Sequence, residues 1–369
     1  MKSTKRIIAL GAALSISMLS VSGVAGAAPA PTPVQQALGL AAQRMVVPTK
    51  ILQTVPLKSK PPTGLNVVFM NNGTASTQLI AQGVEEGAKA LGWTYQSMSY
   101  SGSNLATLQA AMMNALATRP AGVMLAGVNS GAWGESVTQA YAEAKVPIII
   151  GSTCPAAPVG PIFPGGSTCA NNGPIGKALA DWFIADSGGK GHILIESMPF
   201  YAVYVVWLDA FKAEVARLCP DCKIDVIEVT PAQFAAGQIT GQLVSKLRSD
   251  PSITYLFYDN AAWSAGILPA LDSAGILDRV KVGGQALDAN SLAALKNHQE
   301  VVWSANAYPI YGYADIDSLA RILTKSSGMT KNSAMPFQLV TSVNAGSVTL
   351  PYTEPANALE QYKKMWKVS

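Results

Sequence analysis

The stretch Asn66-Val-Val-Phe-Met70, the polar link from Asn71-Asn72-Gly73-Thr74, the run Gln78-Leu-Ile-Ala-Gln-Gly-Val-Glu-Glu-Gly-Ala-Lys-Ala-Leu91 and, after Gly92, Trp93-Thr-Tyr-Gln-Ser-Met-Ser99 decide the fold. Five residues without a charge, ending in amides, read as a strand buried on both faces. The run that follows has helical spacing and is stopped by a glycine, which accepts the left-handed backbone that ends helices. A second β-rich run then begins. Strand, helix and strand in this order make a βαβ unit with parallel strands.

The pattern repeats outward. Asn104 opens a predicted helix to Thr118, Ala121–Ala126 reads as a strand, Glu135–Lys145 as a helix and Val146–Ile150 as a strand. Residues 151–174 break the alternation with five Pro, five Gly and two Cys. It then resumes with helix Ile175–Asp186, strand His192–Glu196, helix Val203–Leu218 and strand Ile224–Val229. Helix Gln238–Arg248, strand Ile253–Tyr258, helix Ala261–Ala274 and strand Val280–Gly283 come next. Helix Ser291–Lys296, strand Val301–Ala305, helix Tyr311–Leu323 and an extended run Pro336–Val343 complete it. The fold class is α/β, with two doubly wound parallel-sheet lobes joined by a hinge. Residues 65–152 with 306–335 are expected in lobe 1, and 153–305 with 336–352 in lobe 2. Residues 28–64 form a Pro-rich lead and 353–369 a tail. Such lobes leave a cleft at their strand C-terminal ends, where open α/β sheets take ligands.

Composition narrows the function. Of 369 residues only 13% are charged and 49% are apolar, too apolar for a disordered chain and too weakly charged for a basic nucleic-acid face. Lys2, Lys5 and Arg6 precede an apolar run from Ile7 to Val24, then Ala25-Gly26-Ala27. These are the parts of a secretory signal peptide over residues 1–27. Its removal takes three positive charges from the formal +4 and leaves +1. No Cys stands near the cleavage site, so no lipid anchor is expected there. The product is expected to be exported, to the periplasm or cell-envelope space.

An even set of cysteines in an exported chain favours disulfides. Nearest neighbours give Cys154 with Cys169, and Cys219 with Cys222. The Cys-Pro-Asp-Cys spacing also suits a redox pair, but it follows a predicted helix and precedes a strand, the reverse of the redox context. A zinc site from all four would need both pairs at one turn.

Phosphate-cradling motifs are absent: no G-x-G-x-x-G follows the first strand and no G-x-x-x-x-G-K-[ST] occurs. No cofactor is expected. Two His residues and no close carboxylate cluster give no metal-ligand spacing. One nucleophile candidate stands out. Ala262-Trp263-Ser264-Ala265-Gly266 resembles the hydrolase elbow with Ala in place of the first Gly, and Asp272, Asp278, Asp288 and His298 follow in triad order. The competing reading is a helix start that needs small residues for packing.

Three segments carry a family resemblance over about Leu65 to Leu323. They are Gly83-Val-Glu-Glu-Gly-Ala-Lys-Ala-Leu-Gly-Trp93; Arg119-Pro-Ala-Gly-Val-Met-Leu-Ala-Gly-Val-Asn-Ser130 with Ala144-Lys-Val-Pro-Ile-Ile-Ile150; and Asp250-Pro-Ser-Ile-Thr-Tyr-Leu-Phe257 with Ala270-Leu-Asp-Ser-Ala-Gly275. The chain resembles the ribose/galactose type of periplasmic binding proteins, the solute receptors of ABC importers. The lead around Pro48-Thr-Lys-Ile51 is similar to an actinobacterial branch of that family. The same family supplies lactose-operon-type repressor domains, but a signal peptide stands where their DNA-binding module would be.

The resemblance implies a hinge-closing, type I periplasmic binding protein, expected to be a monomer, that docks on a membrane permease. It implies no enzyme activity. It also implies charged groups that grip sugar hydroxyls, and this sequence departs from them. The aromatic after the first strand falls near Ser76, and the acid after the fourth strand at Ser152. The Arg before the second-lobe Gly-Phe falls at Trp207, the Asn-Asp pair at Asn260-Ala261, and the acid of Gly-Phe-Asp at Gln285. A slip of one position would give Asp259 the acidic role. The expected pocket is Asn71, Asn72, Thr74, Asn129, Ser152, Asn260 and Gln285, with Tyr201, Tyr204, Trp207 and Trp263 as aromatics. Trp207 has a second reading as a core residue, at helical spacing from Tyr204 and Phe211. The resemblance implies a sugar, whereas neutral amides beside aromatic walls suit a ligand with few hydroxyls and an apolar ring or chain, a less polar or aromatic compound. A secreted Ser hydrolase and a receptor for a sensor kinase or chemoreceptor are the alternatives.

Overall fold

A computed structural model describes residues 30–368 apart from 103, 155 and 156. The expected signal peptide, 1–27, lies outside the described residues. Helix α1 (Pro33–Met45) precedes β1 (Asn66–Asn71), α2 (Ala75–Ala90), β2 (Thr94–Ser99), α3 (Ala106–Ala117), β3 (Gly122–Ala126), α4 (Gly134–Ala144), β4 (Ile148–Gly151) and β5 (Ile162–Pro164). Next come α5 (Cys169–Asp186), β6 (His192–Ser197), α6 (Ala202–Leu218), β7 (Lys223–Glu228), α7 (Pro231–Ala235), α8 (Ile239–Ser249) and β8 (Tyr255–Tyr258). The chain ends with α9 (Ile267–Ser273), β9 (Lys281–Gly284), α10 (Ala289–Lys296), β10 (Val302–Asn306), α11 (Tyr308–Leu323), β11 (Phe337–Thr341) and α12 (Ala358–Trp366).

Two sheets result. One has the order β2-β1-β3-β4-β5 and is parallel throughout; the other is β11-β10-β9-β8-β6-β7, parallel except where β11 runs against β10. The first strand shows why its sequence lacks alternation. Val67 and Phe69 pack into one core with α2 and α11, while Val68 and Met70 face the other way, into a core with Leu108, Met112 and Tyr141. A strand covered on both faces needs apolar side chains at both parities.

Helix α11 crosses to the first sheet after β10 and packs on α2. A Cβ on Gly83 would lie 1.9 Å from the Pro309 carbonyl oxygen, so only glycine lets the two helix backbones meet there. Its partner on α11 is Gly312, whose own Cβ would stand 2.3 Å from the Ile80 carbonyl oxygen.

Several boundaries differ from the sequence reading: the predicted helix Ala261–Ala274 is parted at Gly266 into a 3-10 turn and α9, and three others lie at the crossing. β5 lies inside the segment predicted to be irregular and pairs with β4 in the first sheet, so the chain leaves that sheet after Pro164 and not at 153. Three residues ending in Pro give no periodicity to read, and an edge position tolerates the proline. Helix α5 starts at Cys169 rather than Ile175 and runs through Pro174. Helix α11 starts at Tyr308 rather than Tyr311, with Pro309 in its first turn, where a missing N–H costs nothing.

The crossing itself is built from two adjacent segments. Ser167 N donates to Asn332 O at 3.0 Å and Thr168 N to Ser333 O at 3.1 Å. Gly166 N donates to Asp315 Oδ1 at 2.7 Å. A Cβ on Gly166 would stand 2.4 Å from the Tyr311 carbonyl, so this glycine lets the crossing lie flat on α11. Among the described residues no helix is long and apolar enough to cross a membrane.

Candidate ligand cleft

The polar and aromatic candidates occupy the C-terminal ends of strands in both sheets. At the end of β1, Asn71 Oδ1 accepts from Gly73 N at 2.8 Å and Asn72 Oδ1 from Thr74 N at 3.1 Å. Thr74 caps α2, and Thr77 donates to Asn72 Oδ1 at 2.6 Å. The Asn72 side chain also bonds the phenol of Tyr100, which follows β2. Beyond β3, Asn129 is exposed, with its amide oxygen against the Thr153 hydroxyl. Ser152, just past β4, has φ 51°, and its N–H donates to Gly166 O at 2.9 Å, so it belongs to the crossing.

The second sheet supplies rings. Tyr201 and Tyr204 open α6, and Trp263 sits in the 3-10 turn Ala261–Ser264 after β8. Tyr201 and Trp263 stack with centroids 6.3 Å apart, and Tyr204 meets Trp263 edge-on at 5.2 Å. Asn260 Nδ2 donates to the Tyr204 hydroxyl at 3.1 Å, while Asn260 Oδ1 accepts from Ala262 N at 3.0 Å. Two rings missed in the sequence extend the cluster: Phe200 touches Tyr201 at 5.1 Å and Phe234 touches Trp263 at 6.1 Å, exposed by 65% and 42%.

Two further tyrosines lie within electrostatic reach of this wall. Burial pushes the Tyr100 phenol up to about 12, with Tyr201 adding to the push from the other sheet. Tyr308, beyond β10, raises Tyr204 in the same way and is itself bonded to Asn306. Strand-end position could have singled out Tyr100, Asn306 and Tyr308, since each directly ends or follows a predicted strand.

Other candidates lie deeper. Trp207 has no exposed surface and packs against Phe211 at 5.6 Å within the core that also holds Phe183 and Phe257, which settles its two readings in favour of the core. Gln285 is buried, with its backbone N–H on Tyr258 O at 3.1 Å and its carbonyl accepting from Ala261 N at 3.0 Å. Asp259 is fully buried and accepts from Met198 N at 2.7 Å. Burial pushes its carboxyl up to about 8, and burial with the nearby Asp259 pushes Glu196 up to about 9. At neutral pH the two acids do not both ionise, so this part of the lobe carries little charge.

The residues named for the competing chemistries have local partners of their own. The buried Ser264 hydroxyl donates to Ala261 O at 2.9 Å, while His298 is exposed beyond α10 and Asp288 caps that helix by accepting from Ser291 N. His192, Asp225 and Asp250 form the one close group of three ligand-type side chains among the described residues. Lys246 Nζ lies 2.7 Å from Asp225 Oδ2, and the Ser252 hydroxyl lies 2.8 Å from His192 Nδ1, so the group already has its own cation and partner. Cys154 faces Cys169 and Cys219 faces Cys222, with Cα separations of 5.4 and 5.3 Å, inside the span of a disulfide.

Two parallel sheets, a crossing of adjacent segments, and polar and aromatic groups at the strand ends define a two-lobe binding protein of type I. Residues 66–327 match the periplasmic binding protein domain, and the chain belongs to that family. Solved structures show the same fold. The periplasmic ribose ABC transporter protein of Conexibacter woesei is 15% identical, with a TM-score of 0.66, covering 78% of this chain and 95% of its own. A periplasmic solute-binding protein of Actinobacillus succinogenes with bound D-allose is 17% identical, with a TM-score of 0.65, covering 78% of this chain and 100% of its own. A carbohydrate-transporter solute-binding protein of Agrobacterium radiobacter with D-arabinose is 21% identical, with a TM-score of 0.63, covering 76% and 95%. A search of curated proteins finds no match.

Proposed function

We propose that this chain is the exported solute receptor of an ABC importer. Its two lobes close on one small molecule at the strand ends, and the closed form docks on a membrane permease. The observation that carries this reading is the grouping of Tyr100 and Tyr308 with Tyr201, Tyr204 and Trp263, edged by Asn71, Asn72 and Asn260. Structures of the same fold are named for ribose, allose and arabinose, so sugars are the first class to test. The rings and amides, beside a Glu196–Asp259 pair of reduced charge, favour an uncharged ligand whose ring stacks on aromatics, while the amides fix its orientation. Asn129, Ser152 and Gln285 are assigned to the rim and floor. The protein acts as a monomer, catalyses no reaction and binds no nucleic acid. Both cysteine pairs are oxidised in the exported form, which carries no lipid.

The test is a thermal-shift screen of sugars, aromatic acids and polycyclic alcohols on the mature chain. A ligand at a hundredfold excess over its Kd stabilises by about 2.7 kcal/mol. A neutral ring compound that shifts the wild type but not Trp263→Ala supports the reading. Stabilisation by simple sugars alone, unchanged in that variant, removes the aromatic wall from the site.

A further inference from the structure

Sequence periodicity leaves residues 46–60 as an unstructured lead, yet the structure anchors this lead at both ends, on different lobes. Upstream, α1 lies on α5 and β11. Ala37 and Ala41 are buried there, and the Arg44 guanidinium lies 5.1 Å from the centre of the Phe337 ring. The last carbonyl of α1, Met45 O, accepts from Gln338 Nε2 at 2.7 Å and Asn344 Nδ2 at 3.2 Å. Everything that holds α1 therefore belongs to the six-stranded sheet or its helices.

Downstream, the chain is held by the first lobe. Ile51 N donates to Gln361 Oε1 at 3.0 Å and Leu57 N to Met365 O at 2.8 Å, both on α12. Val55 O accepts from Arg321 Nη2 at 2.7 Å, on α11. The side chain of Gln53 is 3% exposed. Its Nε2 lies 3.1 Å from Asp317 Oδ2, 3.0 Å from Gly328 O and 3.0 Å from Asn332 Oδ1. The same Asn332 gives its carbonyl to Ser167 N, the bond that pairs the two crossing segments. Between the anchors, Val46 and Val47 are exposed, and the first bond to α12 comes at Thr49, whose carbonyl accepts from Gln361 Nε2 at 3.1 Å.

We infer that residues 46–57 form an additional interlobe strap, wired through Gln53 and Asn332 into the hinge, that restrains how far the lobes open and twist. Hinge motion moves the α1 anchor relative to α11 and α12, and the short span from Val46 to Pro48, between Met45 O and the first bond to α12 at Thr49, must absorb it. A short span of extended chain has a fixed maximum reach of about 3.5 Å per residue. The buried hydrogen bonds at the Gln53 end resist slippage, because it would leave buried polar groups unpaired. The strap thus biases the ligand-free protein towards closed geometries. That bias changes the population on which any solute acts.

The experiment uses the full mature chain without ligand. A four-residue protease site replaces Val47-Pro48-Thr49-Lys50, which keeps the strap's length, and the purified protein is compared before and after cutting. Interlobe distances are read by double electron–electron resonance between labels at Glu143 on α4 and Asp209 on α6, both exposed. Cutting is expected to broaden the distribution and shift its mean to longer separations, while far-UV circular dichroism stays unchanged. Gln53→Ala, which unhooks the strap without cutting it, is expected to move the distribution the same way by a smaller amount. An unchanged distribution in the cut chain overturns the inference, whatever the outcome for Gln53→Ala.

Discussion

The amide of Asn260 donates to the Tyr204 hydroxyl across 3.1 Å, tying the loop after β8 to the first turn of α6. The other end of the same side chain caps the turn that carries Trp263. One residue therefore positions two rings of the aromatic wall. Asn260→Ala is expected to cost about 1–2 kcal/mol in urea denaturation, the worth of a cap plus one partly buried bond. Tyr204→Phe, which leaves the cap in place, should cost less. Equal losses would show that the Tyr204 bond, and not the cap, dominates.

The two tryptophans of this lobe should separate cleanly. Trp207→Ala removes a fully buried ring from the core and is expected to lose about 3–5 kcal/mol of stability. Trp263 is half-buried at the cleft, so Trp263→Ala should lose far less stability while abolishing ligand-induced thermal shifts. Calorimetric melting of both variants, with and without a hit compound, checks the contrast.

Glu196 has no exposed surface, and the backbone N–H of Asp259 is the donor nearest to its carboxyl. Burial, then Asp259, raises it from 4.5 to about 9. Between those values the folded chain keeps a proton that the unfolded chain has shed. Stability is therefore full below about pH 4.5 and falls as pH rises towards 9, by at most ~1.4 kcal/mol per unit. Asp259, raised to about 8, acts in the same direction. Glu196→Gln should flatten the profile of denaturation midpoint against pH, gaining on the wild type as pH rises from 5 to 8. Parallel profiles would refute a neutral Glu196.

Asp317 and Arg321 are both fully buried, and Asp317 also accepts from Trp366 Nε1 at 2.8 Å and Asn332 Nδ2 at 2.8 Å. Removing one charge leaves the other uncompensated in the interior. Asp317→Asn is expected to destabilise by about 3–5 kcal/mol. The double variant Asp317→Asn with Arg321→Met should recover part of that loss, measured by denaturant midpoints.

The architecture was legible where side-chain periodicity is long. The run Asn66–Met70 announced a doubly covered strand, and the alternation after it gave both lobes. β5 was not legible, because three residues among prolines carry no period. Nor was the anchoring of the lead, since Gln53 looks like any polar loop residue until Asp317 and Asn332 are brought to it by chain returning much later. At the cleft, the amides and Trp263 could be placed from strand ends. Trp207 could not, because a helical spacing of rings describes a core and a cleft wall equally well.

The backbone contact of Gly83 with Pro309 has a consequence for the order of assembly. The face of the first sheet carrying Val67 and Phe69 is covered by Ile316 and Leu319 of α11. That helix follows five strands of the six-stranded sheet in sequence, with β11 alone coming after it. A nascent or translocating chain that has emerged only as far as β10 therefore holds a half-covered apolar sheet, with its closing helix still to come. Such long-range pairing slows folding and leaves intermediates sticky. The N-terminal lobe, first to be made, is the last to be finished.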